Sequence, residues 1–268
     1  MKHFVKLALG TLALASSAAF AQAPSLPSAP TTGGSLTLTL FSTSDGTPFS
    51  YSYNLGLTMN QLSTLPTAAG ASQTWTLTGL STDLAGYGAA SSLVYDVSGA
   101  SASGNAARAA GAIKFASTFD PSVSAATLAA LQNQAPENAE AANLTWLTNW
   151  SGTANNQFTT NPSASNYANA NYGAAEQEFS FNAASSVSNS VSFYELATAL
   201  GGTSTQIQTP TQFAGLFSIN LSNDTLTYTV PGSTSPVPLP AGVWLLLSGL
   251  AGMGVFGRRR NDVNGAAA

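Results

Sequence analysis

The sequence predicts a mainly β fold, a β-sandwich or jelly-roll-like domain over residues 34–230 with a short helical insertion at about 120–150. Two observations carry this. Apolar and hydroxylic residues alternate strictly along several segments, so each segment has one greasy and one polar face, as a half-buried strand requires. Turn-forming Asn, Asp, Gly and Pro separate these segments. Charge is scarce: charged residues make up 7% of 268 positions, against about 25% in an ordinary soluble domain, while the hydrophobic fraction is 44%. Solubility therefore rests on hydroxyls and amides.

Residues 1–21 read as a secretory signal peptide. Lys2 and Lys6 form a basic start, Leu7 to Ala19 an apolar run, and Ala19-Phe20-Ala21 a small-x-small cleavage site, so the exported chain is expected to begin at Gln22. The competing reading, an uncleaved anchor, needs a longer apolar run. Residues 22–33 form a flexible leader.

The first strand is expected where Leu36, Leu38 and Leu40 alternate with Ser35, Thr37 and Thr39. The second sets Phe49, Tyr51, Tyr53, Leu55 and Leu57 against Ser50, Ser52, Asn54 and Gly56. Further strands are expected at 73–80, 91–97, 112–118, 178–182, 190–196, 216–221 and 225–230. The last two are joined by Ser222-Asn223-Asp224 and should form a hairpin. About nine strands favour a sandwich or jelly roll.

Within the insertion, Asp120-Pro121 supplies a helix N-cap and an N1 proline, and 123–134 has helical composition. After Ala135-Pro136 a second helix places Ala139, Ala142, Trp146, Leu147 and Trp150 on one face. The two tryptophans form either a sugar-stacking platform or packing against the sheet, and packing is the plainer reading. Residues 151–175 are a polar loop without pattern.

Chemistry is narrowly bounded. The single histidine, His3, leaves with the signal peptide, and there is no cysteine. Ser-His and Cys-His nucleophiles, histidine-ligated zinc and disulfides are thereby excluded from the exported form. Hydrolysis would need paired carboxylates, for which Glu137/Glu140 on a helix and Glu176/Glu178 on a strand are the spaced pairs. Both pairs read as solvated surface charge. Asp45, Asp96 and Asp224 carry oxygens of the kind calcium takes, but turn and cap roles suit them better. No cofactor, metal or catalytic residue is assigned. From Gln22 to Pro240 two basic residues, Arg108 and Lys114, face ten acidic ones, a net charge of −8 that repels a phosphate backbone and argues against nucleic acid as a partner.

The C-terminal segment departs from all this. Residues 231–240 hold four prolines, which favours an extended linker. Residues 241–257 carry no charge and as a helix span roughly 25 Å at about 1.5 Å per residue, the lower edge of a bilayer core. Trp244 suits the interface, and the glycines at 249, 252, 254 and 257 suit close helix contact. Arg258, Arg259 and Arg260 follow as a stop-transfer cluster, leaving 258–268 as a basic cytoplasmic tail. Read physically, this is a single-span transmembrane anchor or a processed signal.

Val237-Pro238-Leu239-Pro240-Ala241, the apolar helix and the arginine cluster, in that order, resemble the VPLPA variant of the PEP-CTERM sorting signal. The eight residues after Arg260 are more than many such tails carry. The resemblance implies recognition by an exosortase, a membrane transpeptidase of Gram-negative bacteria, with Val237 to Ala241 as recognition motif and Arg258 to Arg260 holding the tail inside. It implies transient anchoring in the inner membrane, then delivery to the cell surface or an exopolysaccharide matrix. The expected role is that of a non-enzymatic surface or biofilm-matrix protein. The alternative is a carbohydrate-binding module, marked by solvent-exposed aromatics beside amides.

Overall fold

The computed structural model describes residues 18–19, 33–42, 48–87, 93–101, 107, 110–148, 150, 155–161 and 185–232. All of them belong to one compact unit, Met1–Gly232. The strands are β1 (Ala18–Ala19), β2 (Ser35–Ser42), β3 (Ser50–Thr58), β4 (Ser72–Thr76), β5 (Leu93–Ser101), β6 (Lys114–Phe119), β7 (Asn156–Thr159), β8 (Ser185–Ser186), β9 (Val191–Ala197), β10 (Thr211–Asn220) and β11 (Thr225–Thr229). A 3-10 helix (Met59–Thr64) and α-helices α1 (Leu80–Asp83), α2 (Ala125–Ala129) and α3 (Gln134–Thr148) complete the described elements.

The strands form one sheet in the order β1-β4-β11-β10-β9-β6-β5-β2-β3-β7, with β8 beside β5. Every pairing is antiparallel except the short β1–β4 contact, in which Ala18 and Ala19 lie opposite Gln73 and Thr74. The sheet curls strongly, because strands far apart in this order are bonded to each other. The Trp75 indole N–H on β4 donates to the Leu55 carbonyl on β3 at 3.0 Å, and the Tyr51 hydroxyl on β3 donates to the Thr78 carbonyl just beyond β4 at 3.0 Å.

The predicted alternation sets the inner face. Leu36, Leu38, Leu40, Phe49, Tyr51, Leu55, Tyr95, Val97, Phe193, Phe217 and Leu226 are all buried in one apolar cluster. Burying such a side chain fully is worth about 1.5–3 kcal/mol, and with no cysteine in the chain this core replaces disulfide staples. Two buried tyrosines satisfy their hydroxyls on backbone: Tyr51 on Thr78, and Tyr95 on the carbonyls of Asn189 and Phe217, both at 2.9 Å. Gly99 lets β5 approach β2, since a Cβ there would lie 2.9 Å from the Ser35 carbonyl oxygen.

The expected hairpin at the end of the domain forms between β10 and β11, with Asn220 opposite Thr225. Its turn puts Asp224 at φ 50°, a conformation Asp tolerates. Two expectations in the insertion change. Asp120-Pro121 does not start a helix: the Asp120 carboxylate accepts from the Ser122 N–H at 2.9 Å and closes a turn. Ser124 is the N-cap instead, accepting from the Thr127 N–H at 3.1 Å, and α2 spans only Ala125–Ala129. The second helix is α3. The strand expected at 178–182 lies outside the described residues, as do most of 151–175 and all of 233–268, so the expected transmembrane helix at 241–257 is not among them. No described helix is long and apolar enough to cross a membrane.

Candidate functional site

On β2, β3, β5 and β6 the face of the sheet that points away from the apolar core is as deeply buried as the core itself, and it is largely hydrophilic. Strand registers align two polar rows on it. One runs Ser117, Ser98, Thr37, Asn54 across β6, β5, β2 and β3, and the next runs Asp96, Thr39, Ser52, Gln157 across β5, β2, β3 and β7. All eight are buried, and only Gln157, at 7%, is more than 2% exposed. Period two produces this outcome, because inward Leu36, Leu38, Tyr51, Tyr53 and Tyr95 are each followed by an outward Thr, Ser, Asn or Asp.

Asp96 is the charged centre of the patch. Its Oδ1 accepts from the Ser117 hydroxyl at 2.8 Å and the Thr118 hydroxyl at 2.9 Å, while Thr118 Oγ1 itself accepts from the Val97 N–H at 3.0 Å. Burial pushes the Asp96 carboxyl above its usual range, and the hydroxyls of Ser98, Ser117 and Thr118 with the Val97 N–H pull the other way. Thr39 Oγ1 and Ser52 Oγ, neighbours in the Asp96 row, are buried and make no hydrogen bond among the described residues.

Helix α3 packs against β5 and β6 on this side, with Ala139 against Ala100 and Phe115. Its buried positions, Pro136, Glu137, Ala139, Glu140, Asn143 and Leu147, follow helical spacing, and buried Asn133 precedes them. This overturns the reading of Glu137 and Glu140 as solvated charges: they are 4% and 1% exposed. Asn133 anchors the helix start, giving its amide N–H groups to the carbonyls of Ala199 and Gly202 and accepting from the Ala199 N–H at 2.8 Å.

The other sequence-derived candidates distribute as follows. Ala19 lies in β1, while Ala21, Val237 to Ala241 and Arg258 to Arg260 lie outside the described residues. So do Asp45, Arg108, Glu176, Glu178 and the Trp146 side chain. Trp150 is half-buried against Leu147, which fits packing. Asp96 and Asp224 are separate, one in the outer face of β5 and one in the β10–β11 turn, and among the described residues no three ligating side chains converge on a metal position. The exposed-aromatic platform is not present among the described residues, where the one exposed large hydrophobic is Leu200.

Chemically, the patch is an acid held among hydroxyls and shut away from solvent, so it organises packing, and burial favours the protonated carboxyl. The described chain is thus a mainly antiparallel β-domain in which β2, β3, β5 and β6 are buried on both faces, one apolar and one largely hydroxylic. No protein-family model, curated protein or solved structure matches it.

Proposed function

We propose that this is an exported, non-enzymatic protein of the Gram-negative cell surface or extracellular matrix, delivered by exosortase processing of a VPLPA-type tail. The observation that carries the reading is the order of parts in the sequence: Val237 to Ala241, an uncharged run to Gly257, then Arg258 to Arg260. The domain upstream suits the destination. It has few charges and no cysteine, and it relies on packed strands for stability. Its strands form one strongly curled, mainly antiparallel sheet rather than two separate packed sheets. A carboxylate-dependent glycosidase needs two carboxyl groups facing a substrate cleft about 5 to 10 Å apart, and of the two candidate pairs Glu137/Glu140 is buried against the sheet instead.

The test is the intact mass and both terminal sequences of the protein from membrane, surface and medium fractions of its native host. A mature C-terminus between Val237 and Ala241, lost on replacing Pro238 and Pro240 by alanine, supports sorting. A tail retained beyond Arg260 in the membrane fraction means a plain anchor and defeats the reading. A second reading, saccharide binding by the exported domain, is favoured by the cleft described next.

A further inference from the structure

The end of β5, the start of β6 and strands β9 and β10 enclose, with the 3-10 helix, a cleft of about 470 Å3. This volume falls among small-molecule sites, which run from about 300 to 1,000 Å3. Its lining combines apolar Met59, Leu62 and Phe213 with polar Asn60, Lys114 and Glu195.

Three features mark it as built for a ligand. First, Lys114 is the only cation among the described residues, and it sits in this cleft with its Nζ donating to Glu195 Oε1 at 2.9 Å. The Lys114 side chain is 49% exposed and that of Glu195 17%, so the pair meets solvent at the cleft. Second, Phe213 is placed by an irregularity in the sheet. The β9–β10 register shifts between Gln212 and Leu216, and Phe213 falls in that interval. It packs on Phe193 with ring centroids 5.0 Å apart while lining the cleft. Bulges of this kind re-aim side chains beside functional sites. Third, the irregularity is locked. The Gly215 N–H donates to the Tyr228 hydroxyl at 2.7 Å, and a Cβ on Gly215 would run into the Tyr228 ring.

We propose that this cleft binds a neutral saccharide of one or two pyranose units. A pyranose has an apolar C–H face, which suits Phe213 with Met59 and Leu62, and a rim of hydroxyls, which suits an amide, an ammonium and a carboxylate side by side. The carboxylate has several lone pairs, of which Lys114 takes one. Charge selects the class: Lys114 and Glu195 cancel, and a domain of net charge −8 disfavours polyanions over distance. The proposal rests on the saccharide-binding reading of the exported domain and is independent of how the tail is processed, so failure of one assay leaves the other standing.

The experiment is isothermal titration of the full-length protein with cellobiose, maltose and chitobiose as neutral probes and digalacturonate as an acidic one. At least one neutral disaccharide is expected to bind at millimolar concentration or below. Phe213→Ala and Glu195→Gln are each expected to weaken it about ten-fold or more, while Ser188→Ala, in a separate cleft, leaves it unchanged. Because Phe213 also contacts the core, the exposed Asn60→Ala is the second variant, expected to weaken binding with native near-UV circular dichroism. The proposal is overturned by natively folded protein giving no heat with any neutral probe, by affinity indifferent to both Phe213→Ala and Asn60→Ala, or by digalacturonate binding as tightly as the neutral sugars.

Discussion

The indole N–H of Trp75 and the carbonyl of Leu55, 3.0 Å apart, tie β4 near one end of the sheet order to β3 near the other. The ring is 2% exposed and packs on Phe217 with centroids 6.0 Å apart. Trp75→Phe keeps most of the apolar contact but takes the donor from a buried carbonyl, which costs about 1–3 kcal/mol. Trp75→Ala also opens a cavity and should cost about 3–5 kcal/mol. Urea denaturation monitored by circular dichroism measures both, and a phenylalanine variant as stable as the parent would show that this bond does not hold the curl.

Gly215 carries a second structural commitment. Its missing Cβ makes room for the Tyr228 ring, whose hydroxyl accepts the Gly215 N–H. Gly215→Ala must displace β11 or the Tyr228 ring, and overpacking of this sort costs about 1–3 kcal/mol. Tyr228→Phe keeps the ring and removes only the acceptor, so it should cost less. Equal melting temperatures for Gly215→Ala and the parent would contradict the packing described.

The inner face was legible because period-two alternation is a direct projection of the pleat: Leu36/38/40 and Phe49/Tyr51/Tyr53/Leu55 were all placed in the core. Strand β7, with Phe158 as its only apolar residue, had too little pattern to stand out from the surrounding polar loop. Strand β10 begins at Thr211, five residues before the expected start, because the register shift around Phe213 breaks the alternation there. The buried hydroxylic face was misread for a physical reason: Ser, Thr and Asn on alternate positions look the same whether they meet water or a covering layer. Helix α3 hid its buried stripe likewise, because a helix covering a polar sheet buries Glu137, Glu140 and Asn143 and so lacks the usual apolar periodicity.

Lys114 and Glu195 should matter for the cleft and little for the fold. The lysine is half exposed, water screens the pair, and both side chains lose rotamer freedom to make it. Lys114→Met is expected to change stability by less than about 1 kcal/mol, with no greater sensitivity to salt than the parent. A much larger loss in chemical denaturation would assign the pair a structural role.

Asp96 should make the domain's stability depend on pH in the direction opposite to ordinary acid denaturation. Its folded carboxyl, raised by burial above the ordinary 3.8, holds a proton that the unfolded chain releases at the same pH. Between 3.8 and the raised folded value the native state therefore binds more protons, and stability falls as pH rises through that window. Below it both states are protonated and the penalty is absent. Asp120 pulls the other way: the Ser122 N–H lowers its carboxyl below 3.8, so its contribution is lost as pH falls through that lower value. The two contributions thus act on opposite sides of the ordinary carboxylate range. Asp96→Asn keeps an acceptor for Ser117 and Thr118 but cannot titrate. Unfolding free energies of parent and variant, measured by urea titration at a series of pH values, should differ by an amount that grows as pH rises from 3.8 and then levels off once Asp96 is ionised in both states. A difference constant across the series would mean that Asp96 titrates alike folded and unfolded, and that the hydroxylic face does not exclude water from it.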